Sequence, residues 1–216
     1  MKPDPGVPAR PSANSELPLL QRARNALRSG VTRYFEQPFA AALARLGVSP
    51  NVATLLGLLL AGAAAYFAAT GRFPPAGLLV FAAALFDLID GALARRAGLV
   101  TKRGAFLDSN ADRVSESAVL LGLAVHFVQP GVADRTATIL CFVALAGSLM
   151  VSYVRARAEG LGLGGDSKFD GFFTRAERVV IVAVGLVAGQ PVIALWVLAV
   201  GTPLSALQRF WSIWRA

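Results

Sequence analysis

Six apolar runs, most of them long enough to cross a bilayer, set what this chain can fold into. They cover about residues 50–70, 75–97, 104–128, 135–158, 174–188 and 191–212, and a hydrocarbon core takes about 20 apolar residues per helix. The fifth is the shortest. Between them stand Gly71 to Pro75, Gly98 to Arg103, Gln129 to Asp134, Gly160 to Asp170, and Gln190-Pro191, the kinds of residue that interrupt helices. Lipid offers no partners to backbone N–H and C=O groups, so runs of this length are expected to be helices. With 55% of 216 residues hydrophobic and a mean hydropathy of +0.57, the chain is too apolar for an ordinary soluble domain. The expected fold is an all-α integral membrane protein, with six transmembrane helices preceded by an interfacial amphipathic helix.

Three regions follow from the pattern. Residues 1–18 are rich in Pro, Ser and Asn and read as a disordered tail. Pro3, Pro5, Pro8 and Pro11 precede any apolar stretch, so no cleavable signal is expected. Residues 19–47 carry Leu20, Leu27, Val31 and Tyr34 at helical spacing among Arg22, Arg24, Arg28 and Arg33, as a juxtamembrane helix lying in the interface would. Residues 48–216 form the membrane domain, and Ser49-Pro50 supplies a capping hydroxyl followed by proline at the first helical position.

Charge orients the bundle. Only Arg72 and Arg135 fall in the loops on one side, while the other side holds the basic residues around Arg95, Lys102, Arg155, Arg175 and Arg209. The basic side faces the cytoplasm by the positive-inside rule, which puts both termini there. Only 16% of residues are charged, yet the net charge is +8. That balance points to anionic lipid headgroups or phosphorylated substrates, and without a nucleic-acid motif it does not point to nucleic acid. Cys141 reads as a small buried hydrophobe and His126 as a structural residue.

Against this apolar background, residues 87–112 stand out. They read DLIDGALARRAGLVTKRGAFLDSNAD, with Asp87 and Asp90 closing one run and Asp108 and Asp112 opening the next. A carboxylate at the centre of a membrane helix costs about 2.5–3.5 kcal/mol on insertion scales, so four together call for a function. Grouped oxygens suit hard divalent cations such as magnesium. Asp87, Gly91, Ala94 and Gly98 form one stripe on a helix, and Gly104, Asp108, Asp112 and Glu116 form another. Two such faces turned together make a cleft with carboxylates from both sides. The structural alternative pairs these carboxylates with Arg95, Arg96 and Arg113. Glu116 stands outside the fixed spacing, and a polar helix face explains it as well as function does.

The spacing D-x2-D-G-x2-A-R-x8-G-x3-D-x3-D resembles the signature of the CDP-alcohol phosphotransferase family at every fixed position. That family moves a substituted phosphate from a CDP-linked lipid to an alcohol and releases CMP, in a six-helix membrane bundle that is usually dimeric. The resemblance implies that Asp87, Asp90, Asp108 and Asp112 hold two divalent ions, magnesium with manganese as the alternative. It implies that Asp112 is the general base. Pro50, Thr54, Asp87, Gly91, Ala94 and Arg95 would form the nucleotide pocket.

The acceptor is read from a second basic group. Ser152 to Glu159, Thr174 to Arg178, and Gln208-Arg209 lie at the inner ends of the last three runs. Positive-inside charge explains any single arginine, but three converging segments suit a phosphate on the acceptor. These stretches, with Gly165-Asp166, resemble the bacterial phosphatidylinositol phosphate synthases. The resemblance implies that Ser152, Arg155, Arg175 and Arg209 hold inositol 1-phosphate. It implies a cytoplasmic-membrane enzyme that uses CDP-diacylglycerol, works among membrane lipids and forms a homodimer. At Arg155 the family commonly has lysine. The alternative acceptor is glycerol 3-phosphate, as in phosphatidylglycerophosphate synthase. The alternative outside enzymes is a divalent-cation carrier; such sites usually lie near the midplane on broken helices, whereas these carboxylates lie at one face.

Overall fold

The computed structural model describes residues 37–45, 47–163 and 173–215, and among these every regular element is a helix. They are α1 (Gln37–Arg45), α2 (Pro50–Ala69), α3 (Phe73–Arg96), α4 (Lys102–Phe127), α5 (Arg135–Gly160), α6 (Arg175–Val187) and α7 (Pro191–Trp214). The expected tail, the first part of the juxtamembrane helix and Gly165-Asp166 lie outside the described residues. α1 lies within the expected juxtamembrane region and rests on α3, with Ala40 buried beside Ala53, Ile89 and Leu93.

Local chemistry sets the helix ends. Ser49 caps α2 by accepting from the Val52 N–H, with proline following it. Thr101 accepts from the Gly104 N–H at 3.0 Å and caps α4. Asp134 does the same for α5 through Ala137. α6 begins with a capping box, in which the Thr174 N–H donates to Glu177 at 2.6 Å. Gly98, counted in the small-residue stripe, in fact stands beyond the end of α3. Its φ of 65° closes the helix in the left-handed region, where glycine carries no steric penalty.

Small residues govern the packing. α2 buries Ala53, Thr54, Gly57, Ala61, Ala64 and Ala68 along one face, against α3 and α4. A Cβ added at Gly122 of α4 would run into the backbone of Ala65. One added at Gly77 of α3 would lie 2.7 Å from the Ala183 carbonyl of α6. Close backbone approach of this kind is how helices associate where lipid removes the hydrophobic drive. The other main pairings are α5 on α7, α3 on α6, α4 on α5, and α6 on α7. Leu120, Leu123, Leu186, Leu195 and Leu198 fill the shared core. Leu59, Tyr66, Leu78, Ile193 and Leu204 point outward, as lipid-facing residues do.

Four helices, α2, α3, α5 and α7, are long and apolar enough to cross a membrane. The six apolar runs all correspond to helices, but two fall short of that measure for different reasons. α4 has 26 residues, with Lys102, Arg103, Asp108, Asp112, Arg113 and Glu116 within its first 15. α6 has only 13 residues, about 20 Å at 1.5 Å per residue.

Candidate active site

The chain reverses at Gly98, and this folds the two carboxylate pairs of α3 and α4 toward each other. One oxygen from each of Asp87, Asp90 and Asp108 lies within 4.8 Å of the others. Asp90 is only 4% exposed and accepts the Thr54 hydroxyl at 2.6 Å. Like charges gathered this closely repel unless a cation lies among them. The donors are hard oxygens supplied from two helices. The set therefore fits a divalent ion of the magnesium or manganese kind.

Arg175, the first residue of α6, reaches into the same group. It pairs with Asp87, and its Nη2 lies 2.8 Å from Asp112 Oδ1. One turn further along the same two helices, Arg178 grips Glu116 with Nε and Nη2 at 2.7 and 2.9 Å. These residues stand around a cleft that is partly open to solvent. Its lining includes the polar Thr54, Asp87, Asp90, Asp112, Arg175 and Arg178 and the apolar Ala61, Val80, Ala84, Val119, Leu120 and Val182. Polar and apolar groups lining one cleft suit an amphiphilic substrate.

Other residues singled out by the sequence fall around this centre. Pro50 opens α2 one turn before Thr54, and its carbonyl lies 3.1 Å from the Thr54 hydroxyl. The Arg95 guanidinium lies across Gly91, where an added Cβ would meet Nη1 at 3.2 Å. Ala94 is half-buried on the same helix. Ser152, Arg155 and Arg209 lie along the α5–α7 pair and do not line the cleft. Arg209 is buried and donates to the Val151 carbonyl at 3.2 Å. Arg155 is 62% exposed and pairs with Glu159 at 2.8 Å. Of the four expected acceptor residues, Arg175 alone thus lines the cleft beside the carboxylates.

Asp87 and Asp112 do not pair with Arg95, Arg96 or Arg113, as the structural alternative would have the carboxylates do. Their partner is Arg175, while Arg113 donates to the Ser109 carbonyl on its own helix. The sequence reading also passed over the Arg178–Glu116 pair. The available signal was spacing: Glu116 follows Asp112 by four residues, and Arg178 follows Arg175 by three.

Residues 47–207 match the CDP-alcohol phosphatidyltransferase family. The phosphatidylinositol phosphate synthase of Mycobacterium tuberculosis is 36% identical over 211 residues, 93% of this chain and 92% of that protein. A crystal structure of a phosphatidylinositol phosphate synthase of that organism with CDP-DAG bound superposes with a TM-score of 0.74 at 34% identity, over 83% of this chain and 93% of the other. A second, in complex with manganese and citrate, gives 0.75 at 34% identity over 83% and 88%.

Proposed function

The chain belongs to the CDP-alcohol phosphatidyltransferase family, and on that premise we propose that it transfers the phosphatidyl group of CDP-diacylglycerol to inositol 1-phosphate, giving phosphatidylinositol phosphate and CMP. The observation that carries this reading is the three-carboxylate cluster with Arg175 beside it, at a cleft lined by both polar and apolar residues. The likeness to synthases of this activity supports the choice of acceptor.

In this reading Asp87, Asp90, Asp108 and Asp112 hold two magnesium ions, with manganese as the alternative. When bound, the ions neutralise the diphosphate and stabilise the leaving phosphate. Thr54 fixes the orientation of Asp90 through its hydroxyl. Pro50, Thr54, Asp87, Gly91, Ala94 and Arg95 take the cytidine nucleotide, and the lack of bulk at Gly91 and Ala94 lets it approach the helix. Arg175, at the cleft, takes the acceptor phosphate together with Arg209, Ser152 and Arg155, which stand outside the cleft lining along α5 and α7. Asp112 removes the proton from the acceptor hydroxyl. The oxygen then attacks the phosphorus attached to diacylglycerol. The bond from that phosphorus to the bridging oxygen breaks, and CMP leaves with the bridging oxygen.

We further read all six helices α2 to α7 as crossing the cytoplasmic membrane, with an interfacial helix before them and the site facing the cytoplasm. The protein would work as a homodimer. CMP release from CDP-diacylglycerol by the purified protein with magnesium tests the assignment, with inositol 1-phosphate, glycerol 3-phosphate and free inositol compared as acceptors. Turnover with inositol 1-phosphate alone is expected. Turnover with glycerol 3-phosphate alone keeps the mechanism and replaces the acceptor. CMP with none of the three, together with metal uptake into proteoliposomes without nucleotide, would point to a cation carrier.

A further inference from the structure

Arg178 lines the cleft but has no part in the reaction above. It is 2% exposed and makes three directed bonds. Two go to Glu116 of α4, and the third runs from Nη1 to the Phe173 carbonyl at 3.1 Å. Phe173 is also held from the opposite side. Its N–H reaches Ser205 of α7 at 3.4 Å, and its ring fills the space over Gly201, where any added Cβ would collide with it. The next residue, Thr174, starts the capping box of α6. The beginning of α6 is therefore pinned to α4 through Glu116 and to α7 through Ser205. Arg175 comes two residues after the pinned carbonyl.

Stability does not account for such a pair. Removing two charges from water costs about as much as their attraction returns, and an apolar pair of similar volume often serves packing as well or better. A planar fork on a carboxylate supplies what apolar contact lacks, a fixed distance and direction. Asp112–Arg175 and Glu116–Arg178 are successive rungs between the same two helices. The Glu116–Arg178 rung is the more buried of the two.

We propose that Arg178, locked by Glu116, is a positioning residue that sets where Arg175 stands over Asp87 and Asp112, and through it the binding of the acceptor phosphate. This rests on the assignment of Arg175 to that phosphate in the proposed function.

The test measures KM for inositol 1-phosphate, KM for CDP-diacylglycerol, kcat and melting temperature. The variants are Arg178→Lys, Arg175→Ala, the two combined, and the apolar pair Glu116→Leu with Arg178→Met. Arg178→Lys is expected to raise the acceptor KM about tenfold while the CDP-diacylglycerol KM stays within about twofold. Adding it to Arg175→Ala is expected to raise the acceptor KM no further, because it acts through Arg175. The apolar pair is expected to melt near wild type without recovering the acceptor KM. An effect of Arg178→Lys that adds fully to that of Arg175→Ala overturns the proposal, as does an apolar pair with wild-type acceptor KM. If Arg178→Lys does not fold, Glu116→Gln is read in its place against the same criteria. A wild-type acceptor KM in Arg175→Ala itself would remove the underlying assignment and the positioning role together, which the other two failures do not do.

Discussion

Thr54 on α2 donates its hydroxyl to Asp90 on α3 at 2.6 Å, inside the protein. The bond leaves Asp90 a fixed orientation toward Asp87 and Asp108. Groups that orient a metal-binding carboxylate typically contribute about ten- to a hundredfold to ion affinity. Thr54→Val keeps the shape and removes the donor. It is expected to weaken manganese binding by about that factor, measured by electron paramagnetic resonance of the free ion, with the melting temperature little changed. Unaltered affinity would leave Thr54 with a packing role.

Asp112 faces the cleft from α4 and pairs with Arg175. Asp112→Asn preserves size but cannot accept the proton of the acceptor hydroxyl. Turnover is expected to fall by roughly a hundredfold to ten-thousandfold, the range a general base supplies. Binding of CDP-diacylglycerol, followed by equilibrium titration, is expected to persist. Near-normal CMP release in this variant would remove Asp112 from the base role.

Much of the fold could be read along the chain, because membrane helices are signalled by runs and breaks in sequence. The run expected at about 75–97 is the helix Phe73–Arg96, and the one at about 135–158 is Arg135–Gly160. Ser49-Pro50 starts α2 as its chemistry requires. The carboxylate cluster was equally legible, since its members lie on two successive helices joined by a short turn. Hydropathy does not say which helix lies beside which. Arg175 meets Asp87 across 88 positions, and Arg178 meets Glu116 across 62. Local reach along the sequence therefore offers only Arg95, Arg96 and Arg113 as structural partners for the carboxylates, and nothing in it brings Arg175 to Asp87 and Asp112.

Chelation separates the ion requirement from the fold. The carboxylates come from two helices that both pack against α2, so the bundle is expected to hold together without an ion. Excess EDTA is expected to abolish CMP release while helical circular dichroism at 25 °C is unchanged. Magnesium or manganese is expected to restore it. Asp108→Asn takes one donor from the cluster and is expected to raise the half-saturating magnesium concentration by about tenfold or more. Wild-type magnesium dependence in that variant would exclude Asp108 from the ion site.

Gly77 marks a close approach of α3 and α6. An added Cβ would lie 2.7 Å from both the Ala183 carbonyl and the Val187 nitrogen, which are backbone atoms and cannot turn aside. Gly77→Val is expected to push the helices apart at a cost of about 1–3 kcal/mol, the usual range for overpacking. A lower melting temperature in detergent checks this. An unchanged melting temperature would mean that α6 moves freely on α3.

Arg209 offers the sharpest division between a structural and a binding role. It is buried between α5 and α7, donates to the Val151 carbonyl, and stands one turn beyond Ser205, which holds the Phe173 N–H. A purely structural arginine here would tie α7 to α5, so Arg209→Ala would lower the melting temperature and reduce all kinetic constants together. An arginine that takes the acceptor phosphate would act differently. Losing a charge-assisted contact to phosphate removes about 1.5–3 kcal/mol, roughly ten- to a hundredfold in the KM for inositol 1-phosphate. The KM for CDP-diacylglycerol would stay near its wild-type value. The second pattern is expected. Arg209→Lys is expected to recover part of the acceptor KM, because it restores the charge without the planar fork. If alanine and lysine variants both melt early and keep a normal acceptor KM, Arg209 is a tie between helices and the acceptor phosphate is held by Arg175 without it.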